Sequence, residues 1–321
     1  MVPRLLALAL TVVGCGGAAS ATAGADAHGA DAGLACTPRA LPTGAAPGTN
    51  ELMPGAQRLR SATSPDGLAW KRTDMTIADQ AATPSLTRTA DGRPLLLYTA
   101  HAIDAPNDGV AAAIGAADGR AWQHCALAWS GMPAGVRATD PDVVQLSDGT
   151  YRMYFTSPVP GVTPARAGIF RAESRDGLAW SFGGAAFPYA TTVIDPMTFR
   201  AGGAWHQYAL DGMNAAMVHG TSADGQTFAF SDVGQRTIGG EPYVLSQATQ
   251  VGDVVRVYGF GPMGQSIRSF TTTNGADLTP DPAVLLALDA SVTAERTFIK
   301  DPAVVRLSDG GYLMVYSTVI P

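Results

Sequence analysis

A strand–turn–strand phrase keeps returning along this chain. It reads RLRSATSPDGLAWKR at 58–72, RAESRDGLAWSF at 171–182, VHGTSADGQTFAF at 218–230 and, more loosely, IGAADGRAW at 114–122. A second phrase carries a Pro, a short apolar strand, a turn that is usually Asp-Gly, and a strand ending near Tyr. It begins at 82, 139, 194, 240 and 300, with its prolines at Pro84, Pro141, Pro196, Pro242 and Pro302. The spacings are 57, 55, 46 and 60 residues. Self-similarity at that period signals a repeat architecture, and four strands per repeat signal a propeller.

The first four copies of the second phrase are each followed by the first phrase, degenerate in the fourth as QSIRSFTTTNGADL at 265–278. The fifth copy, which ends in MVYST, is followed only by VIP, and the copy at 58–72 is preceded by none. The two unmatched halves complete one repeat. The reading is an all-β, five-bladed β-propeller over 56–321, closed by an N-terminal strand pair in the last blade, which leaves no open sheet edge. Composition agrees: 37 Gly and 22 Pro disfavour long helices. A net charge of −6 without a Lys/Arg cluster argues against nucleic acid as partner.

Residues 1–15, MVPRLLALALTVVGC, have an early Arg4, an apolar run and small residues before Cys15, the pattern of a secretory signal. VVGC resembles a bacterial lipobox, which implies lipidation of Cys15 and anchoring to an outer membrane or cell surface. Residues 16–55, rich in Ala, Gly, Thr and Pro, read as a flexible tether. With Cys15 set aside, Cys36 and Cys125 are expected to pair in an oxidising compartment.

In a propeller with this strand order, the Ser-x-Asp-Gly turns lie at the blade rims on one face, where Ser and Asp bond local backbone and Trp70, Trp122 or Trp180 packs between blades. The Pro-preceding residues lie on the other face, around the channel: Thr83, Asp140, Asp195, Glu241 and Asp301. Acids crowded in a partly dry channel shift one another's pKa values, a mark of functional sites. Loops and neighbouring strands on the same face add His101, Asp104, Arg200, Trp205, His206 and Tyr258, which join Asp301 as substrate-binding candidates. Carboxylates, amides and an aromatic platform suit a sugar, and acidic oxygens around a channel also suit Ca²⁺. No His/Cys spacing suggests zinc.

Five blades together with DPDVVQLSDGTYRMYFTS, VIDPM, GGEPYVL and S-x-D-G-L-x-W resemble the family 43 and related furanosidase-type glycoside hydrolases over about 58–321. The resemblance implies an inverting mechanism on furanosidic or plant-type polysaccharide linkages, without a cofactor. Glu241 matches the general acid and Asp195 the residue that modulates its pKa. The place of the general base holds Thr83, and Asp140 is the nearest substitute. A non-catalytic glycan-binding propeller that has lost its base is the alternative, and a protein-interaction scaffold is a third reading. Carbohydrate is the expected partner, with membrane contact only through the lipid, and the chain is expected to be a monomer.

Overall fold

The computed structural model describes residues 36–101, 109–212, 214, 216–234, 236–238, 240–295 and 297–321. Short apolar runs cut by Asp-Gly turns satisfy their backbone by pairing with the next run, and the described residues form five sheets, antiparallel except where Ala128–Ser130 adds a parallel outer strand to blade 2. Blade 1 runs outward through Ala81–Arg88, Pro94–Ala100, Gly109–Gly115 and Trp122–Ala126, and blade 2 through Thr139–Gln145, Tyr151–Pro158, Ala167–Ser174 and Ala179–Phe187. Blade 3 comprises Val193–Ala201, Ala204–Asp211, Ala216–Ser222 and Ala229–Gly234. Blade 4 has Glu241–Val251, Val254–Phe260 and Ser266–Thr272, and its outer strand is reduced to Thr279–Pro280 and Leu286–Ala287.

The fifth sheet is built from both ends of the described chain. Ile299–Arg306 and Tyr312–Val319 pair with Gln57–Ser64 and Lys71–Asp79, in the order given. Gln57 lies opposite Val319 and Ser64 opposite Tyr312 in an unbroken eight-residue register. Apolar side chains fill the gaps between blades rather than one central core. Leu59, Ile77 and Val315 of blade 5 pack with Leu86, Leu96 and Tyr98 of blade 1, and Tyr154 and Ile169 of blade 2 with Ala209 and Val218 of blade 3.

The rim turns are structural. Ser64 Oγ accepts the Gly67 amide at 2.9 Å, Asp66 Oδ1 accepts the Leu68 and Ala69 amides at 2.8 Å, and Trp70 Nε1 donates to the Gly67 carbonyl at 3.0 Å. The Ala69 and Leu68 amides hold the Asp66 carboxyl below its usual range. Ser174, Asp176 and Trp180 repeat the arrangement. In blade 4 Thr272 and Asn274 replace Ser and Asp and make the same backbone bonds, so the degenerate copy keeps its turn. The turn glycine sits at positive φ and presses on the preceding blade: a Cβ on Gly177 would strike Leu95, and one on Gly275 would strike the His206 ring.

The segment expected to be flexible up to residue 55 is held against the ring from Cys36 onward. Cys36 and Cys125 form a disulfide with S–S 2.03 Å, and Thr37–Pro38 extends blade 1 by pairing with Ala126 and Cys125. Farther along, Asp79 accepts the Gly44 amide at 2.8 Å, and Ala46 is buried. These backbone bonds offset the entropy of ordering a segment with few large side chains. Residues 16–35 and Cys15 lie outside the described residues.

Candidate functional site

The innermost strands break register at one place each. In blades 1, 2, 3 and 5 the break falls at Thr83-Pro84, Asp140-Pro141, Asp195-Pro196 and Asp301-Pro302, where two residues bulge out of the pairing. The residue before each Pro has positive φ: 45° at Thr83, 48° at Asp140, 52° at Asp195 and 52° at Asp301. Left-handed backbone is unfavourable for a β-branched residue and tolerated by Asp, and strain of this kind clusters at functional sites. The bulges bring Thr83, Asp140, Asp195 and Asp301 around one funnel at the channel mouth, with Val244, Leu245 and Ser246 from blade 4. The funnel is small, about 20 Å³. That is about the space one water requires, ~10–15 Å³ or slightly more.

Blade 4 corrects the sequence reading. Its register break lies at Ser246, between Leu245 and Gln247, five residues after Glu241. Glu241 is exposed and opposes Ile238, in a short pairing of Arg236–Ile238 with Glu241–Val251 that lies outside the funnel lining. Glu-Pro in GGEPYVL mimics the Asp-Pro of other blades, but this strand is 11 residues long and places its start away from the axis. Glu241 is therefore not the general acid of this funnel.

Around the three aspartates stand hydroxyls and one ammonium. Asp140 accepts hydrogen bonds from Thr83 Oγ1 at 3.3 Å and Thr99 Oγ1 at 3.5 Å, and its amide donates to Thr99 Oγ1 at 2.7 Å. The Asp195 amide donates to Thr156 Oγ1 at 3.1 Å, and the Thr83 amide to Ser317 Oγ at 3.1 Å. Lys300 Nζ lies 2.7 Å from Asp301 Oδ2. Burial lowers the Lys300 pKa, but Asp301, Asp195 and Asp140 outweigh it and hold the ammonium above its ordinary value.

The carboxyls respond in different degrees. Burial, reinforced by the charges of Asp140 and Asp301, pushes Asp195 well above the usual carboxyl range. Asp140 is raised too, chiefly by burial, with Thr156 and Thr83 hydrogen bonds and Lys300 opposing. Asp195 thus retains a proton to higher pH than an exposed acid. Three carboxylates with an ammonium bonded to one of them do not fit a Ca²⁺ cage. Among the described residues no group of three or more His, Cys, Asp or Glu is arranged to hold a metal.

Beneath the funnel, side chains lace the innermost strands together. Gln247 Oε1 accepts the Leu86 amide at 3.2 Å and the Val304 amide at 3.0 Å, while its Nε2 donates to the Leu86 carbonyl, joining blades 4, 5 and 1. Asp142 Oδ2 accepts the Thr198 amide at 2.6 Å, and Ser85 Oγ the Val143 amide at 2.9 Å. Neither Lys300, Gln247 nor Asp142 was singled out from the sequence. Lys300 had a signal, a cation directly before Asp301 in IKDP.

The other candidates do not join the funnel. Arg200 and Trp205 line the opposite mouth of the channel. Position 200 lies five residues along the strand from Asp195, far enough to reach the other face. His206 is buried within blade 3, stacked on Phe199 and His219, with Nδ1 3.0 Å from His219 Nε2. Tyr258 is fully buried in the blade 4–blade 5 core. His101 follows Pro94–Ala100, its amide donating to the Gln80 carbonyl at 2.9 Å, and is not in the funnel lining. Asp104 lies outside the described residues.

No family model matches the sequence, and no curated protein matches it. Solved structures match it in fold. A thermostable family-43 glycoside hydrolase superposes with a TM-score of 0.59 at 14% identity, over 74% of this chain and 83% of its own. A family-117 glycoside hydrolase from Zobellia galactanivorans gives 0.52 at 15%, over 74% and 84%. A family-43 β-xylosidase/α-arabinofuranosidase from a compost microbial metagenome, solved with xylotriose, gives 0.52 at 16%, over 73% and 84%. At these identities the likeness is one of architecture: the chain is a five-bladed β-propeller of the kind on which family-43 and family-117 glycoside hydrolases are built.

Proposed function

We propose that the three-aspartate funnel is the acid/base site of a glycoside hydrolase-type propeller. The observation that carries this reading is Asp195, half-buried in the funnel beside two carboxylates and one ammonium and so biased to hold a proton. Asp195 protonates the leaving-group oxygen, and Asp140, oriented by Thr83 and Thr99, takes a proton from the attacking water. Asp301, paired with Lys300, adds a charge that helps Asp195 keep its proton. Inverting hydrolysis requires one acid at the leaving-group oxygen and one base that activates a water on the opposite face of the anomeric carbon. The sugar sits on the rim, since the funnel has room for little more than water. The glycoside hydrolase architecture supports a furanosidic or plant-type substrate, and the VVGC sequence supports a lipid tether at Cys15.

Turnover should be screened on aryl furanosides, arabinan and xylan. Asp195→Asn should lower kcat by ~10²–10⁴ while saccharide binding persists, whereas Glu241→Gln should leave kcat unchanged. Loss of turnover in Glu241→Gln with none in Asp195→Asn would reverse the assignment.

A second reading, a non-catalytic glycan-binding propeller, is favoured by one observation: blade 4 presents Ser246 to the funnel where an acid would complete the ring. Saccharide binding by a wild type that turns over none of these substrates would select it.

A further inference from the structure

The channel has a second mouth, and its chemistry is the opposite of the first. Five residues beyond Thr83, Asp195 and Asp301, the innermost strands of blades 1, 3 and 5 carry Arg88, Arg200 and Arg306. Blades 2 and 4 place Gln145 and Gln250 at the same level, and all five side chains line one cavity with Trp205 in its wall. The cavity measures about 450 Å³, within the ~300–1,000 Å³ of small-molecule sites. It is separated from the aspartate funnel by the strand lacing at Gln247.

Three guanidiniums share this cavity without a carboxylate in its lining. None of the three forms an ion pair among the described residues, and the single side-chain bond they make is a long one, Arg306 Nε to the Gly310 carbonyl at 3.4 Å. Arg58, Arg72 and Arg152, by contrast, are each paired with an acid: Asp79, Glu295 and Glu173. Arg remains charged at any physiological pH and its planar fork matches carboxylate or sulfate oxygens. On a chain of net charge −6, a concave cluster of uncompensated cations concentrates anions locally.

We propose that this second mouth binds an acidic saccharide, its carboxylate or sulfate groups held by Arg88, Arg200 and Arg306. Three guanidiniums lining one cavity offer forks for more than one anionic group of the same ligand. Gln145 and Gln250 offer donors and acceptors for hydroxyls, and Trp205 offers an apolar face to a sugar ring. The site is independent of the hydrolase reading, because none of its residues touches the funnel.

Calorimetric titration of the purified protein with a galacturonate oligomer, a sulfated disaccharide-repeat oligomer and a neutral xylo-oligosaccharide tests the assignment. At least one acidic oligomer should bind, with affinity falling as salt rises. Each of Arg88→Gln, Arg200→Gln and Arg306→Gln should weaken it by ~10-fold, and Asp195→Asn should not weaken it. The two acidic arms distinguish carboxylate from sulfate as the recognised group. The three arginines are exposed, so the variants should fold, which circular dichroism verifies. Failure of both acidic oligomers to bind would overturn the proposal, as would binding that survives all three substitutions.

Discussion

Asp142 shows how one buried carboxyl makes stability depend on pH. It is 2% exposed, and burial pushes its pKa to about 8 despite the Thr198 hydrogen bonds that oppose the shift. Unfolded, it would titrate near the ordinary carboxyl value. Between those values the folded state keeps a proton that the unfolded state has released, so stability is full at low pH and falls as pH rises through the window. Asp142→Asn keeps an acceptor for the Thr198 amide and removes the ionisation. Urea unfolding from about pH 5 to about pH 8 should show wild type losing stability relative to Asp142→Asn; parallel curves would contradict the assignment. At this scale the sequence was legible in part. Asp140, Asp195 and Asp301 were legible because they recur at the same Pro-preceding position of the repeat, which a closed ring gathers on one face. Ser246 was hidden because its bulge has neither Pro nor acid, and Glu241 stood out for a dipeptide that serves another turn. Gln247 and Asp142 were invisible because their partners are backbone amides of other blades.

The closing sheet is where local and distant sequence meet. Gln57–Ser64 buries Leu59 and Ala62 completely, and its backbone pairs along its whole length with Tyr312–Val319. Leu59→Ala should cost ~2–5 kcal/mol of stability, read as a shift in the urea midpoint, while Leu68→Ala on an exposed turn position should cost little. Equal effects would mean that this strand does not hold the ring. Outside it, the Cys36–Cys125 disulfide spans 89 residues. Its loss in Cys36→Ser should cost ~2–4 kcal/mol by releasing chain entropy in the unfolded state. Strand pairing was readable because the two unmatched half-repeats complement each other. The ordering of residues 36–55 was not, since a few hydrogen bonds to Asp79, Gln80 and His124 hold a segment whose composition has little to bury.

For the whole molecule, the ring gives one channel two unlike ends, acids and an ammonium at one and guanidiniums at the other. Both follow from one repeated strand, because positions five apart along it face opposite mouths. Sequence order alone leaves Asp140, Asp195 and Asp301 far apart; only closure of five blades makes them neighbours whose charges are felt mutually. The central claim, that Asp195 carries the proton in that funnel, can be tested before any substrate is known. Carboxyl-carbon NMR titration of labelled protein should show Asp195 titrating well above an exposed aspartate, and moving down when Asp140→Asn removes a neighbouring charge. An Asp195 that titrates in the ordinary carboxyl range, unmoved by Asp140→Asn, would contradict the account.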